Sequence, residues 1–593
     1  MEEENPMSQR DSQKPLSRFE KFISNKTAIF ILILAIILLP ILYLFFSQTA
    51  LYVALEKEIG GLLEIIWTAL AAAPNLIYSF IKNFRQKILF KNSRASVSTK
   101  KGPKVLLWIL DGCSVQAFLD VAKKNEDLKA LYEKGYFAQC VTIFPSITPA
   151  AHSTIMTGCY PAKTRIPAFD WVEVKTDYSG KETREYVRVM PDFKRFQTQA
   201  SSGKYRKEFF KGLGDALNLN QRFLSPIVYT IFETLGEDCY TESIKEWIHR
   251  GADNFIGVSI NDVLDDLVSK KIIEQRSMTE LLTASFKEVS YEFGDLIWGA
   301  GNSRQLADLM VYWKSGTDTV SHEYGPHAIQ VREQIDEAID KLAETLRFYK
   351  MYTNQPIYVV ITSDHSQSEV TAFSNLIEDF KVSLGGKYKI ASRNDMTNTD
   401  LINTAKIIVA NNDRAAFFYA FGEPQTKEQL RNETIDYLKV RKDVDLILYE
   451  DGEKTKVIQV SNDGPSAGSN DINDFFKDKE DTYPNAVERV EGLMKGKNWG
   501  DIVISMKEGY SLNPDFKPEK EGERILHGDH GGLNSSDSIG PLLVWGPTIK
   551  ENAKDENWER FRTVDIASTI AAIFNKEQRI ADGRTLKEMF QSK

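Results

Sequence analysis

Residues 104–112, "KVLLWILDG", decide how the main body of this chain folds. An apolar run that continues without alternation is typical of a strand covered on both faces. Four further runs of this kind follow along the chain: "AQCVTIF", "DLMVYW", "PIYVVIT" and "GPLLVW". Helical patterns, such as residues 328–349, lie between them. Buried strands that alternate with helices predict an α/β domain with a mostly parallel sheet flanked by helices.

The length of the chain predicts more than one structural unit. Its 593 residues exceed what one hydrophobic core holds, and the apolar runs are unevenly spaced. We interpret residues 104–593 as the main domain, with insertions at about 172–305 and 370–520 that lie over the active edge of the sheet, partly as a cap. The formal net charge is -9 without a concentrated basic face, so no specific nucleic-acid binding is expected. The four cysteines form no Cys-x-x-Cys pair, and we expect free thiols.

The N-terminal residues predict a membrane anchor. A polar leader, residues 1–27, precedes 19 apolar residues without a charge at 28–46, which are enough to span a bilayer. A second apolar stretch, residues 61–81, either spans as well or lies on the surface, so one or two helices within 28–91 would attach the protein to the cell membrane, with the lipid bilayer as a partner. Basic flanks favour a cytoplasmic catalytic domain if both stretches span and an extracytoplasmic one if only the first does. A polar linker, residues 92–103, leads to the domain.

Each predicted strand ends beside residues suited to metal or phosphate chemistry. In open α/β sheets, ligands bind beyond the carboxyl ends of the strands, so these side chains are expected to converge. The set consists of Asp111, Thr148, Asp318, His322, Asp364, His365, His527 and His530. Aspartate and histidine without cysteine suit zinc or a similar divalent ion. Two such ions can hold both sides of an in-line phosphoryl displacement.

The stretch 144–158, "FPSITPAAHSTIMTG", leaves two roles open for Thr148. A threonine before a proline and a small-residue helix can be the N-cap of that helix. It can also be a nucleophile, because metal coordination activates a hydroxyl that is weak by itself. His152 is expected to pack or hydrogen-bond near Thr148. Asp111 could likewise only close a turn after its strand.

Six motifs in order resemble the type I phosphodiesterase/nucleotide pyrophosphatase branch of the alkaline phosphatase superfamily. They are "ILDG", "FPSITPAAHSTIMTGCYP", "DTVSHEYGP", "TSDHS", "GDHGG" and the tail "VDIASTIAAIFN…DGRTL". The resemblance covers about 104–370 and 520–588. It implies an alkaline-phosphatase-like fold, two divalent ions with zinc expected, and hydrolysis of a small phosphodiester or pyrophosphate substrate. The motifs carry no signal for the oligomeric state.

The resemblance also implies a role for each matched residue. It makes Thr148 the nucleophile and implies a covalent phosphothreonine intermediate that is later hydrolysed. Besides Thr148 itself, the metal that activates this hydroxyl would be held by Asp111, Asp364 and His365. The second metal would be held by Asp318, His322 and His530.

The segment after "TGCYP" departs from the family pattern. The family usually continues with His-Gly and then an Asn that binds a non-bridging phosphate oxygen, whereas this chain reads "AKTRIPAFDW". Arg165, Phe169 and Asp170 lie in that neighbourhood and are the candidate substrate-binding residues. Ser366 also stands where glycine is commoner. These departures keep three alternatives open: a phospho-group transferase, a phosphonate hydrolase and a metal-binding pseudoenzyme.

Overall fold

Strand β1, Lys104–Leu110, lies in the interior of the main sheet, and all seven of its residues are buried. Leu106 and Trp108 pack into the core on one face of the sheet, and Leu107 and Ile109 pack into the core on the other. The predicted coverage of this strand on both faces is therefore confirmed. The computed structural model describes residues 102–178, 180–190, 203–256, 306–461, 468–518 and 527–592.

The other strands follow in chain order, and they include the four further apolar runs of the sequence. They are β2 Tyr136–Val141, β3 Asp170–Thr176, β4 Glu182–Arg188, β5 Thr241–Ile244, β6 Asn254–Ile256, β7 Leu309–Lys314, β8 Ile357–Thr362, β9 Ser368–Phe373, β10 Ile390–Ser392, β11 Ile407–Asn412, β12 Ala415–Ala420, β13 Val444–Asp451, β14 Lys454–Gln459, β15 Asn470–Asp471, β16 Ile502–Met506, β17 Gly509–Ser511, β18 His527–Asp529, β19 Ile539–Trp545 and β20 Ala553–Asp555.

The main sheet has eight strands in the order β20-β2-β19-β8-β1-β7-β5-β6. Neighbouring strands run parallel except at β19, which is antiparallel to both β2 and β8. The predicted α/β class is confirmed, with a sheet that is mixed at this one strand. All five predicted apolar runs lie in this sheet.

The α-helices cover both faces of the main sheet and also pack on the inserted segments. They are α1 Val115–Ala122, α2 Glu126–Lys134, α3 Thr148–Thr157, α4 Pro161–Thr164, α5 Gly203–Leu217, α6 Ile231–Leu235, α7 Gly316–Tyr324, α8 Ile329–Tyr352, α9 Leu376–Gly385, α10 Thr399–Thr404, α11 Pro424–Leu438, α12 Ile472–Phe476, α13 Ala486–Met494, α14 Ser535–Ser538 and α15 Ile566–Ile573. Helices α1, α2 and α8 share a core with one face of the sheet. Helices α3, α6 and α15 share a core with the other face.

The two ranges predicted as insertions differ in what they build. Strands β5 and β6, within 172–305, extend the main sheet, so that range is not only an insertion over its edge. These strands are too short to produce the long apolar runs that mark β1, β2, β7, β8 and β19. Within 370–520, a second sheet has the order β10-β11-β12-β16-β13-β14-β15. At the borders of this range, β9 joins β17 and β18 in a smaller sheet. The exact insertion boundaries stay predictions.

The predicted leader and anchor, and all of the linker except residues 102–103, lie outside the described residues. Within the described ranges, we find no helix that combines the length and the apolar character needed to cross a bilayer.

Candidate active site

Three neighbouring parallel strands, β8, β1 and β7, bring most of the predicted site residues to one edge of the main sheet. Asp111 follows β1 directly, Asp364 lies two residues after β8, and Asp318 lies in the first turn of α7, which follows β7. Two further segments complete the edge, because Thr148 begins α3 and His530 follows β18. Seven of the eight side chains that the sequence placed at strand ends therefore meet. His527 lies outside the two clusters, with Nδ1 2.7 Å from the carbonyl of His322 and its ring stacked on Phe516.

Thr148 is the first residue of α3, and its side chain does not cap that helix. Ile147 occupies the N-cap position without a side-chain cap bond, and Pro149 follows in the first turn. Oγ1 of Thr148 instead lies 3.1 Å from Nε2 of His365. Only 4% of Thr148 is exposed, so its hydroxyl faces an enclosed polar site. The geometry leaves this hydroxyl available for chemistry.

The first cluster consists of Asp111, Asp364 and His365, beside the Thr148 hydroxyl. Nε2 of His365 is 3.4 Å from Oδ1 of Asp111 and 3.3 Å from Oδ2 of Asp364. Donors bound tetrahedrally to zinc at its usual bond lengths are separated by about 3.3 Å, so these spacings fit an ion. Among the described residues, Oδ1 of Asp111 and Oδ2 of Asp364 have no hydrogen-bond partner, as expected of atoms that bind a cation.

The electrostatics of the first cluster also favour a cation. Burial and the carboxylates of Asp364 and Asp318 raise the pKa of Asp111 well above its usual range. The indole N–H of Trp313 opposes this by donating to Oδ2 of Asp111 at 3.1 Å. Burial would raise the pKa of Asp364 too, but the neighbouring His365 and His152 together outweigh burial, and the pKa is lowered to about 2. Buried carboxylates packed this closely require compensating positive charge.

The predicted ligands Asp318, His322 and His530 form the second cluster. Among possible metal-binding groups, Asp318 and His530 combine with His365, and His322 and His530 combine with Asp529. Oδ2 of Asp318 is 3.3 Å from Nε2 of His322, and its Oδ1 is 3.6 Å from Nε2 of His530. The Nδ1 atoms face backbone carbonyls, that of Gly528 for His322 and that of Ser146 for His530, both at 2.7 Å. A carbonyl only accepts, so each Nδ1 donates and each Nε2 remains for an ion.

The histidines of the site differ in charge. Burial and the neighbouring His365 lower the pKa of His530 to about 3, so its ring is neutral at pH 7. Burial would lower the pKa of His322 as well, but the carboxylate of Asp318 outweighs it and raises the pKa to about 10. Nδ1 of His365 lies 3.0 Å from the carbonyl of Ser366, so its Nε2 also faces the site. Both clusters thus offer the oxygen and nitrogen donors that suit zinc.

Two site residues were missed by the motif analysis although they adjoin the motifs. Nε2 of Gln367 donates to Oδ1 of Asp318, and its Oε1 accepts from Ser321 at 2.5 Å. Asp529 is fully buried, with Oδ1 3.8 Å from Nδ1 of His322. Its position inside "GDHGG" and that of Gln367 after "TSDHS" were the available signals.

A third missed residue, Glu246, lies beside His152. His152 is fully buried behind the first cluster, with Nδ1 2.8 Å from both carboxylate oxygens of Glu246. Burial would lower the pKa of His152, but the carboxylates of Glu246 and Asp364 raise it to about 9. Glu246 lies in the range 172–305, where the sequence carried no motif for it.

The three candidate substrate-binding residues occupy different environments. Phe169 is half-buried, and its ring meets that of His530 edge-on with centroids 6.5 Å apart. Asp170 is buried and paired with Arg188 at 2.8 Å. Arg165 is exposed in a left-handed conformation, and Asn498 donates to its carbonyl. Phe169 is thus the one that the structure brings against a residue of the two clusters, and their roles in binding stay predictions.

Comparisons with known proteins identify the family. A family model described as type I phosphodiesterase / nucleotide pyrophosphatase matches residues 105–533. A search of curated proteins finds no match. Among solved structures, the alkaline phosphatase PafA is 17% identical over 84% of this chain and 100% of its own, with a TM-score of 0.51. Murine and human ectonucleotide pyrophosphatase/phosphodiesterase 5 are 13% and 15% identical, each over 82% of this chain and 100% of its own, with a TM-score of 0.48.

The family match covers well over half of the chain and agrees with the motifs, and the likeness to PafA supports the fold. This chain therefore belongs to the type I phosphodiesterase/nucleotide pyrophosphatase family and is a hydrolase of the alkaline phosphatase superfamily.

Proposed function

We propose that this protein is a two-metal phosphodiesterase or pyrophosphatase that uses Thr148 as its nucleophile. The observation that carries the proposal is the buried Thr148 hydroxyl, 3.1 Å from Nε2 of His365 and beside two carboxylate oxygens that lack a hydrogen-bond partner within the described ranges. In this proposal the first cluster and Thr148 hold one ion, and the second cluster holds the other. Zinc is the proposed metal, because the donors are carboxylate oxygens and imidazole nitrogens.

The residues would divide the reaction as follows. When bound, the two ions would lower the pKa of the Thr148 hydroxyl and offset the charge on the leaving oxygen. Oγ1 of Thr148 gives up its proton to solvent and attacks phosphorus, so that the phosphoryl group becomes an ester of Thr148. The bond to the leaving oxygen breaks with its electron pair, and that oxygen takes up a proton from water. Water then cleaves that ester and restores the hydroxyl. Helix α3 begins at Thr148, so its positive N-terminal end favours the charge of the phosphate.

Phe169 is the residue that we propose to contact the substrate beside the second cluster. Its half-buried ring lies against His530 and offers an apolar wall where the family usually has an amide. Asp170 would affect substrate binding without contacting the substrate, because its carboxylate is already paired with Arg188. Stabilisation of the non-bridging phosphate oxygens then rests on the α3 N-terminus and the ions. The substrate would be a small phosphodiester or pyrophosphate.

We also propose that residues 28–91 anchor the protein to the cell membrane. The supporting observation is the run of 19 apolar residues without a charge at 28–46. Fractionation of membranes followed by carbonate extraction tests this proposal. Release of the full chain by carbonate would overturn it, and retention after deletion of residues 28–46 would remove the assignment to that stretch.

The test of the catalytic proposal uses the full chain in detergent. Elemental analysis should find two zinc-like ions per chain, and the protein should hydrolyse bis-nitrophenyl phosphate. We expect Thr148→Ala to lower this turnover at least about a thousandfold with metal content unchanged, whereas Thr148→Ser keeps a hydroxyl and measurable activity. Full turnover by Thr148→Ala would overturn the nucleophile. Two ions without turnover of diester, monoester or pyrophosphate would favour a pseudoenzyme instead.

A further inference from the structure

A buried pair of ionisable side chains, His152 and Glu246, stands directly behind the first cluster. Nδ1 of His152 lies 2.8 Å from both Oε1 and Oε2 of Glu246. On the other side of the ring, Nε2 lies 3.4 Å from Oδ2 of Asp364, an ion-pair distance. His152 thus bridges Glu246 to a carboxylate of the first cluster.

The surroundings hold this pair in one orientation. Both side chains are fully buried. The backbone N–H of Ile248 donates to Oε1 of Glu246 at 3.2 Å. The ring of Trp313 meets that of His152 edge-on, with centroids 5.5 Å apart. Burying a carboxylate and an imidazole is costly unless they are paired, so the contact between Glu246 and His152 offsets the cost of burying both groups.

The bridge acts on a carboxylate whose two oxygens lie in different surroundings, and its Oδ2 has no hydrogen-bond partner within the described ranges. Oδ1 of Asp364 accepts from the backbone N–H of Gly112 at 3.1 Å, while Oδ2 faces His152 and His365. His152 also lies one helical turn after Thr148 on α3, so the same side chain ties the helix of the nucleophile to Asp364. Glu246 comes from the segment after β5, which no motif of the sequence marks.

We propose that His152 and Glu246 are positioning residues of the first metal site, which hold Asp364 in the orientation that binds the ion. Partners of this kind, one step behind the ligands, orient a metal site and strengthen its affinity for the ion. The inference rests on the proposed function, because it requires an ion at the first cluster. We expect the effect on that ion, since the polar partner that His152 and Glu246 reach among the metal ligands is Asp364 of the first cluster.

The test measures the affinity of each ion in the full chain, by competition of zinc with a chelator of known strength. Glu246→Ala should weaken one of the two ions by about 10–100-fold, and Glu246→Gln, which keeps an acceptor for Nδ1 of His152, should recover part of that loss. The matched control is Gln367→Ala, which removes the donor to Asp318 and should weaken the other ion. The combined variant should bind both ions more weakly, and the two losses of binding free energy should add.

A cobalt(II) spectrum separates positioning from a purely structural role. With cobalt in place of zinc, Glu246→Ala should shift the visible absorption of the weakened ion, because its ligand geometry changes. If Glu246→Ala does not yield folded protein, His152→Gln carries the same expectation. Two ions of unchanged affinity and spectrum in the folded variant, even with a lower midpoint of thermal unfolding, would overturn the inference. So would weakening of the same ion by Glu246→Ala and Gln367→Ala. If the unsubstituted chain binds fewer than two ions, the proposed function itself fails.

Discussion

Arg414 joins the second sheet to the loop that carries His530, and its substitution is the most informative perturbation of the fold. Arg414 and Asp537 are both fully buried, with Nη1 2.6 Å from Oδ1. Nη1 also donates to the hydroxyl of Ser368, and Nε donates to the carbonyl of Tyr510 at 3.1 Å. The backbone N–H of Arg414 donates to the carbonyl of His530 at 3.1 Å. The guanidinium of Arg414 thus joins three segments, those that carry Ser368, Tyr510 and Asp537.

The size of the effect follows from the charge that is left behind. Arg414→Met keeps most of the stem but leaves the carboxylate of Asp537 buried without its cation, which costs about 3–5 kcal/mol of the free energy of unfolding. In Arg414→Met/Asp537→Asn, the amide oxygen can still accept from the backbone N–H of Gly532, now at 2.7 Å from Oδ2. The unpaired charge is gone, so we expect this double variant to lose only about 1–3 kcal/mol, from unmet hydrogen bonds.

The assay is urea unfolding of the metal-free protein at pH 7, followed by tryptophan fluorescence. The two variants and Asp537→Asn alone complete a double-mutant cycle. Zinc affinity should also fall for the second cluster, because the loop of His530 loses its support. A loss below about 1 kcal/mol in Arg414→Met would refute the reasoning. A double variant as unstable as the single one would refute it equally.

Two further predictions concern the cysteines and Glu185. All four cysteines are buried free thiols, and burial raises the pKa of Cys159 to about 11, so we expect none to react with Ellman's reagent at pH 8 until the protein is unfolded; rapid reaction of the native protein would contradict this. Burial would raise the pKa of Glu185, but Arg222, Lys211 and Lys175 lower it to about 2. Because the folded-state pKa is depressed, the stabilisation is complete above about pH 4.5 and disappears as the pH falls toward 2. Since about a third of the Glu185 side chain is exposed, Glu185→Gln should lower the free energy of unfolding by only about 1 kcal/mol at pH 7. The difference in unfolding free energy between the two proteins should narrow between about pH 5 and pH 3, and a constant difference would contradict the assignment.

Part of the candidate site could be predicted from the residues that follow the apolar strands. Asp111 and Asp364 follow apolar strands that parallel pairing brings side by side, so their meeting could be predicted from the runs alone. Asp318 and His322 are one helical turn apart on α7, and a spacing of four residues brings them together in any helix. The apolar runs were sufficient to predict the first pair, and the four-residue spacing was sufficient to predict the second.

The contact between Glu246 and His152 could not be predicted in this way. Glu246 lies 94 residues from His152 in the sequence, and the contact arises because β5 joins the main sheet beside β7. The short strand β5 has no distinctive pattern, so neither its pairing nor the position of the residue after it could be predicted. The antiparallel direction of β19 was hidden for a related reason, since an apolar run is the same read in either direction.

The sequence by itself determined five strands of the main sheet, the family and the chemical types of the site, because buried strands and metal ligands leave local patterns of residue type and spacing. It left two roles for Thr148, cap or nucleophile. Only the tertiary structure decided that its hydroxyl turns from the helix end toward His365, 217 residues away in the chain. Likewise, only the tertiary structure brings His152 and Glu246 together behind Asp364. Contacts between distant segments depend on how the sheet is assembled, and no local pattern records that.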